Sequence, residues 1–504
     1  MPIANLRVWI GLSVLAALSA CGDVGEQPAG EAATVPASKS GWSESTAVSR
    51  ATSVKGGGQR SKVSINQFTC ASNTQPPVLP RGELGSAAPP VAGLIDLMAV
   101  PVSPVRFTRY EIHAGMSYSY GFAVQDYDCD SRPDVSFFDS GVFFRDLLRS
   151  SEKGAIGYVY WNGGGLQRIA SSQTYPEIPA PPSEVTLFER HLPVDVNGDG
   201  RPDVVGVLNS HGAVVAYLNP AVRGVEWDRR YISVETPGAV NIAAGDLDAD
   251  GDPDLVVAMR VQPSTSPDPG VRGLVWLENP GQEPGQWSQH PVEGSADLVE
   301  PRNLSAADLD GDGQLDIVVG DASTGLLSWF KRVGGGGWER RDIANVTAIH
   351  GHFGTTMDID RDGHMDILQP VYQGIAWVRN RGRGEGWDVI PIARFEHEIV
   401  QIVVSDVALG DLDLDGKSDI VFSILTLSES PLRVRRGGVY WLRQNEGAWD
   451  AFRILFEENA TVGLSLLDYE GDGDVDVLSN SEYQRNAVTL WINQRRAPTA
   501  VGSS

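Results

Sequence analysis

The sequence predicts an all-β chain: a seven-bladed β-propeller with four-stranded antiparallel blades, the last blade closed by an N-terminal strand. Three observations lead there. An Asp-rich turn recurs seven times, and a set of aromatic residues keeps the same phase. The repeats also leave one strand missing at the C-terminal end and one spare near the N-terminus.

The turns come first. They read DYDCDSRPDVSF from Asp126, DVNGDGRPDVVG from Asp195, DLDADGDPDLVV from Asp246 and DLDGDGQLDIVV from Asp308. The last three are DIDRDGHMDILQ from Asp358, DLDLDGKSDIVF from Asp411 and DYEGDGDVDVLS from Asp468. By subtraction, their first residues lie 69, 51, 62, 50, 53 and 57 apart. Self-similarity on a period of this order signals solenoids, propellers or arrays.

The aromatics follow each turn after a glycine and an alternating apolar run, as in GAVVAYLNP, GLVWLENP and GVYWLRQN. They are Trp161, Tyr217, Trp276, Trp329, Trp377, Trp441 and Trp491, and five repeats carry a second: Trp227, Trp287, Trp338, Trp387 and Trp449. Eleven of the 13 tryptophans are therefore in phase with the turns. Short β-rich runs between Gly and Pro turns are strands. Each repeat then supplies a first strand, the Asp turn, a second strand such as DIVVGD, a third with the aromatic, and a fourth. Four antiparallel strands repeated seven times make a propeller.

The ends agree. The seventh repeat stops at INQRRAPTAVGSS without a fourth strand, while VRFTRYEIH, Val105 to His113, precedes the first turn and looks like one. Lending it to the last blade closes the ring and removes exposed sheet edges. The expected organisation is a signal peptide over 1–20, an Ala/Gly/Ser/Pro-rich tether over 21–104, the propeller over 105–494 and a tail over 495–504. Within the tether, VAGLIDLMAV (Val91 to Val100) is apolar enough to dock on the body.

Composition narrows the function classes. With 40 basic and 65 acidic residues the formal charge is −25, which argues against nucleic acid, since phosphate contacts need clustered Lys and Arg. Arg7 precedes VWIGLSVLAALSA and Cys21; the apolar run suits a secretory signal better than a membrane span. Leu18-Ser19-Ala20-Cys21 resembles a bacterial lipobox, which implies lipidation of Cys21 and export; Gly22 after it leans to the outer membrane or cell surface of a Gram-negative-type bacterium. Cys70 and Cys129 could pair in such an oxidising compartment.

Within each turn, oxygen-bearing residues fall at positions 1, 3, 5 and 9. These are Asp126, Asp128, Asp130 and Asp134; Asp195, Asn197, Asp199 and Asp203; Asp246, Asp248, Asp250 and Asp254; and Asp308, Asp310, Asp312 and Asp316. The later turns hold Asp358, Asp360, Asp362 and Asp366; Asp411, Asp413, Asp415 and Asp419; and Asp468, Glu470, Asp472 and Asp476. Crowded carboxylates repel without a cation among them. All-oxygen donors favour calcium, up to seven ions, over magnesium, and a glycine at position 6 permits the turn. Position 12 lacks the Glu of an EF-hand, and a strand follows.

The DxDxDGxxD pattern, with HFG at His352 to Gly354, resembles FG-GAP/VCBS-type repeats such as those of the integrin α-subunit propeller. That resemblance implies the fold and calcium binding; activity in the family ranges over adhesion receptors, lectins and a few lyases. Ser131 in place of Gly, and Glu470 at position 3, depart from the pattern.

The longest segments between second and third strands are FFDSGVFFRDLLRSSEKGA, VQPSTSPDPGVRG and SILTLSESPLRVRRG, expected as loops on the face away from the Asp turns. Phe143, Phe144, Arg433, Arg435 and Arg436 are candidate contacts there. No GxSxG or HExxH occurs, and His350 with His352 is the best catalytic pair available. The expectation is a monomeric surface module binding an unknown protein or glycan. The alternative is a polysaccharide-acting lyase or hydrolase on the same scaffold.

Overall fold

The computed structural model describes residues 94–495 except 117–120, 140–155, 171–187, 261–271, 282–284, 347–353, 397–399, 430–431, 446–447, 458–459 and 483–486. Seven sheets follow one another, each built on four antiparallel strands, in chain order in six of them. Blade 1 runs Phe122–Gln125, Asp134–Asp139, Ile156–Trp161 and Gly165–Ala170; blade 4, a complete example, runs Pro301–Ala307, Asp316–Asp321, Leu326–Val333 and Gly337–Asn345. Every second strand begins at the ninth residue of its Asp turn, from Asp134 to Asp476.

The burial patterns explain why these runs form these strands. Second strands such as DVVGVL (Asp203–Leu208) and DLVVAM (Asp254–Met259) are buried along their whole length, because neighbouring blades cover both faces. Fourth strands alternate, as in GWERRDIAN, since one side meets water. Each of the seven blade–blade interfaces has its own apolar cluster. The phased aromatics lie inside them: Trp161, Tyr217 and Trp227 between blades 1 and 2, Trp276 and Trp338 between blades 3 and 4. They are core, not ligand surface.

The ring closes as the end strands predict. Phe107–His113 pairs antiparallel with Ala487–Asn493 and becomes the fourth strand of blade 7. An apolar cluster joins this blade to blade 1 through Leu478, Leu490, Val135 and Phe137. The preceding segment packs as well. Leu94–Ile95 adds a parallel fifth strand to blade 5 beside Arg394 and Phe395, and Leu97 is fully buried. Val102 bridges to Arg453 of blade 6. Residues 94–113 thus strap the rims of blades 5, 6 and 7.

One expectation is corrected. SILTLSESPLRVRRG is not an irregular loop: the strands Asp419–Glu429 and Leu432–Asn445 continue as an antiparallel ribbon with Ser428 opposite Arg433. Aliphatic and β-branched residues extend the strand alternation along both arms, so pairing persists beyond the blade.

Candidate metal centres on one face of the ring

Blade 4 shows how an Asp turn is built. Asp308 accepts the backbone N–H of Asp312 on one oxygen (3.2 Å) and of Gly313 on the other (2.9 Å). Asp312 accepts the N–H of Gln314 at 2.9 Å. Asp316 accepts from Leu309 and, at 2.8 Å, from Arg332 near the end of the third strand. The first-position bonds recur in all seven turns. So does the ninth-position clamp, which fixes the turn to the blade.

The backbone needs two left-handed residues per turn. Position 6 has φ between 68° and 101°, and position 4 between 57° and 73°. Glycine meets this cheaply, but Cys129, Ser131, Ala249, Arg361 and Leu414 also adopt it. Sequence reading recognised position 6 and missed position 4, where only three turns carry Gly.

Position 3 is different: in five turns it keeps a buried oxygen that no donor reaches, while Asn197 and Asp248 accept the N–H of Asp199 and Asp250. Oδ1 of Asp128, Asp310, Asp360 and Asp413, and Oε2 of Glu470, are buried without a hydrogen-bond partner. In five turns three carboxylates, always including positions 1 and 3, bring oxygens within 4.8 Å of one another. Orphaned, buried, hard oxygens converging on one point fit a calcium ion, which offsets their mutual repulsion. The turns at Asp195 and Asp468 bring no such trio together among the described residues. There Asn197 donates to Asp199 at 3.2 Å, and the Glu470 carboxylate stands beside Asp476.

Electrostatics follow burial. The ninth-position carboxyls are pushed up chiefly by desolvation: Asp134 and Asp419 to about 8, Asp366 to about 7, Asp254 and Asp316 to about 6. Burial, with Glu470 beside it, raises Asp476.

An interlock that sequence reading missed joins five of the seven turns to the next blade. The Asn after the third strand donates its amide to the second-position carbonyl of the preceding blade's turn. Asn219 reaches Tyr127 at 2.7 Å, Asn279 reaches Val196, Asn380 reaches Leu309 at 2.8 Å and Asn493 reaches Leu412 at 3.0 Å. The LNP, ENP, VRN and WIN endings carried the signal. In blade 4 this place is taken by Arg332, whose guanidinium lies 4.6 and 4.7 Å from the Trp276 and Trp338 ring centres.

At the other end of the blades, Arg190, His191, Asn241, Ile242, Asn303, Leu304 and Gly354 line a cavity of about 160 Å³. Asn241 and Asn303 already hold neighbouring blades, through Arg302 and Gln369. His191 Nε2 lies 3.2 Å from the Ser136 carbonyl and 3.0 Å from its hydroxyl. A proton on Nε2 pointed at that carbonyl makes it a donor, not a base for the hydroxyl. Burial pushes this imidazole down to about 3. Cys129 is disulfide-bonded. Cys21, Cys70, Phe143, Phe144, His350 and His352 lie outside the described residues, and Arg433, Arg435 and Arg436 belong to the blade 6 ribbon.

Residues 195–257, 308–369 and 358–422 match the FG-GAP-like repeat family. No curated protein matches the chain. Similar solved structures include an Agrocybe aegerita lectin that recognises non-reducing terminal N-acetylglucosamine, with 15% identity over 75% of this chain and 100% of the lectin, TM-score 0.43. Virginiamycin B lyase from Staphylococcus aureus is 8% identical over 77% of this chain and 99% of the lyase, TM-score 0.45. A luciferin-regenerating enzyme is 12% identical over 78% of this chain and 98% of the enzyme, TM-score 0.35. At these similarities none decides between binding and catalysis.

Proposed function

This chain is an FG-GAP repeat β-propeller protein, and from that premise we propose that it is a calcium-stabilised binding module for a protein or glycan. The observation that carries the calcium reading is the set of buried position-3 oxygens left without hydrogen bonds beside two further carboxylates. An ion there ties the turn, and through the interlock the neighbouring blade, into a rigid ring. The ring then presents the variable segments at its other end, where a rigid scaffold suits recognition. Export with a lipid on Cys21 would place the module at the outer membrane or cell surface, tethered through residues 21–93.

The test has two parts. Chelator should lower the melting temperature and added calcium restore it, because a ligand bound only by the folded state adds about 2.7 kcal/mol per site at a hundredfold excess over Kd. Glycan arrays and surface-protein panels, probed with and without chelator, should then show calcium-dependent binding. Unchanged melting removes the calcium reading. Cleavage of a polysaccharide on the array would replace the binding reading with the enzymatic one.

A further inference from the structure

In three consecutive blades a side chain of this protein already sits where the cation would. Lys331 Nζ is hydrogen-bonded to Asp312 at 3.1 Å and pairs more closely still with Asp310. Arg379 lies 2.6 Å from Asp360 and 3.4 Å from Asp362. Arg443 lies 2.7 Å from Asp413 and 3.8 Å from Asp415. All three come from the same place, the third-strand residue immediately before the one whose backbone N–H clamps the ninth-position carboxyl, and all engage positions 3 and 5. The acceptors are deep: Asp360 and Asp413 side chains are 1% exposed and Asp310 9%. Yet oxygens of all three still lack a hydrogen bond, so one monovalent arm does not satisfy the cage.

Blade 3 supplies the contrast. Glu278 occupies the equivalent place, its field falls on Asp248, and no described Lys or Arg pairs with Asp246, Asp248 or Asp250. Arg332 faces this turn from its seat between Trp276 and Trp338 without an ion pair.

We propose that Lys331, Arg379 and Arg443 are tethered counter-ions that hold the turns of blades 4, 5 and 6 when calcium is scarce and must swing out for it to bind. They grade the ring into weak sites in those blades and a tighter one in blade 3. The inference rests on the calcium reading above. Each arm is 19–35% exposed and ends on a flexible stem, so withdrawal into water needs no backbone change.

The experiment titrates the chelator-stripped full chain with calcium by isothermal titration calorimetry. The triple variant Lys331→Met, Arg379→Met, Arg443→Met should bind at three sites roughly ten- to hundredfold more tightly, since a like charge has left each site. It should also melt lower in chelator, where the carboxylates lose their nearest cations. Glu278→Lys, which tests the same rule without emptying a cage, should weaken one site by a similar factor. Calcium bound equally by wild type and both variants overturns the proposal and leaves the calcium reading standing. Calcium bound by none of the proteins removes both.

Discussion

Asn162 donates its side-chain amide to the backbone carbonyl of Tyr469 at 2.8 Å, joining blade 1 to blade 7 across 307 residues of chain. It is the ring-closing member of the interlock, and the closing strand Phe107–His113 lies on the same blade. Asn162→Ala leaves that carbonyl without its donor, at a cost of about 1–3 kcal/mol. Urea denaturation should show this loss, and Asn380→Ala, in an internal interface, should match it. A closing variant as stable as wild type would mean that strand pairing alone holds the ends.

The left-handed positions predict opposite effects of opposite substitutions. Leu414 holds φ 57° with a side chain that disfavours it, so Leu414→Gly should be neutral to stabilising by up to about 1 kcal/mol. Gly473 holds φ 86°, and Gly473→Ala should destabilise by about 1 kcal/mol or more. Melting in chelator separates this backbone effect from any change in metal affinity.

Acid sensitivity should trace to His191. Its folded pKa, about 3, lies below the ordinary 6.5, so between those values the unfolded chain binds the extra proton. The contribution is therefore complete above pH 6.5 and is lost as pH falls towards 3, up to roughly 5 kcal/mol. Asp406, raised to about 7 by burial and partly offset by Arg190, acts in reverse: its contribution is lost as pH rises through 7. His191→Gln should flatten the acid limb of stability against pH and leave the alkaline limb unchanged.

The strap predicts two grades of truncation. Removing residues up to Pro104 takes away Leu97 and the bridge to Arg453, lowering stability while the ring stays closed. Removing residues through His113 exposes the edge of Ala487–Asn493. An open edge of that length invites pairing with another chain, so size-exclusion chromatography should show oligomers or aggregate. A monomeric product would mean that the edge is protected in some other way.

Much of this architecture is legible in one sequence because its signals are short-range. The carboxylate spacing within Asp308 to Asp316 and the aromatic Trp329 that follows it lie within a few dozen residues of what they organise, and the spare strand at Val105 to His113 stands just ahead of the first turn. Less legible were features whose partners sit on another blade. Asn219 looks like a turn residue until Tyr127, 92 positions earlier, is found beneath it. The blade 6 ribbon hid because its Ser and Pro read as loop punctuation.

The sequence by itself determined the number of blades, their phase, the closing strand and the rows of carboxylates. Only the tertiary structure decided what each carboxylate has left to give. The first and ninth positions are bound to backbone N–H groups, Asp316 to one 16 residues away, while Asp360 keeps Oδ1 without a hydrogen bond. Folding distributes donors and burial unevenly among chemically identical side chains, and that distribution, not their spacing, separates a structural clamp from an oxygen that can face a cation.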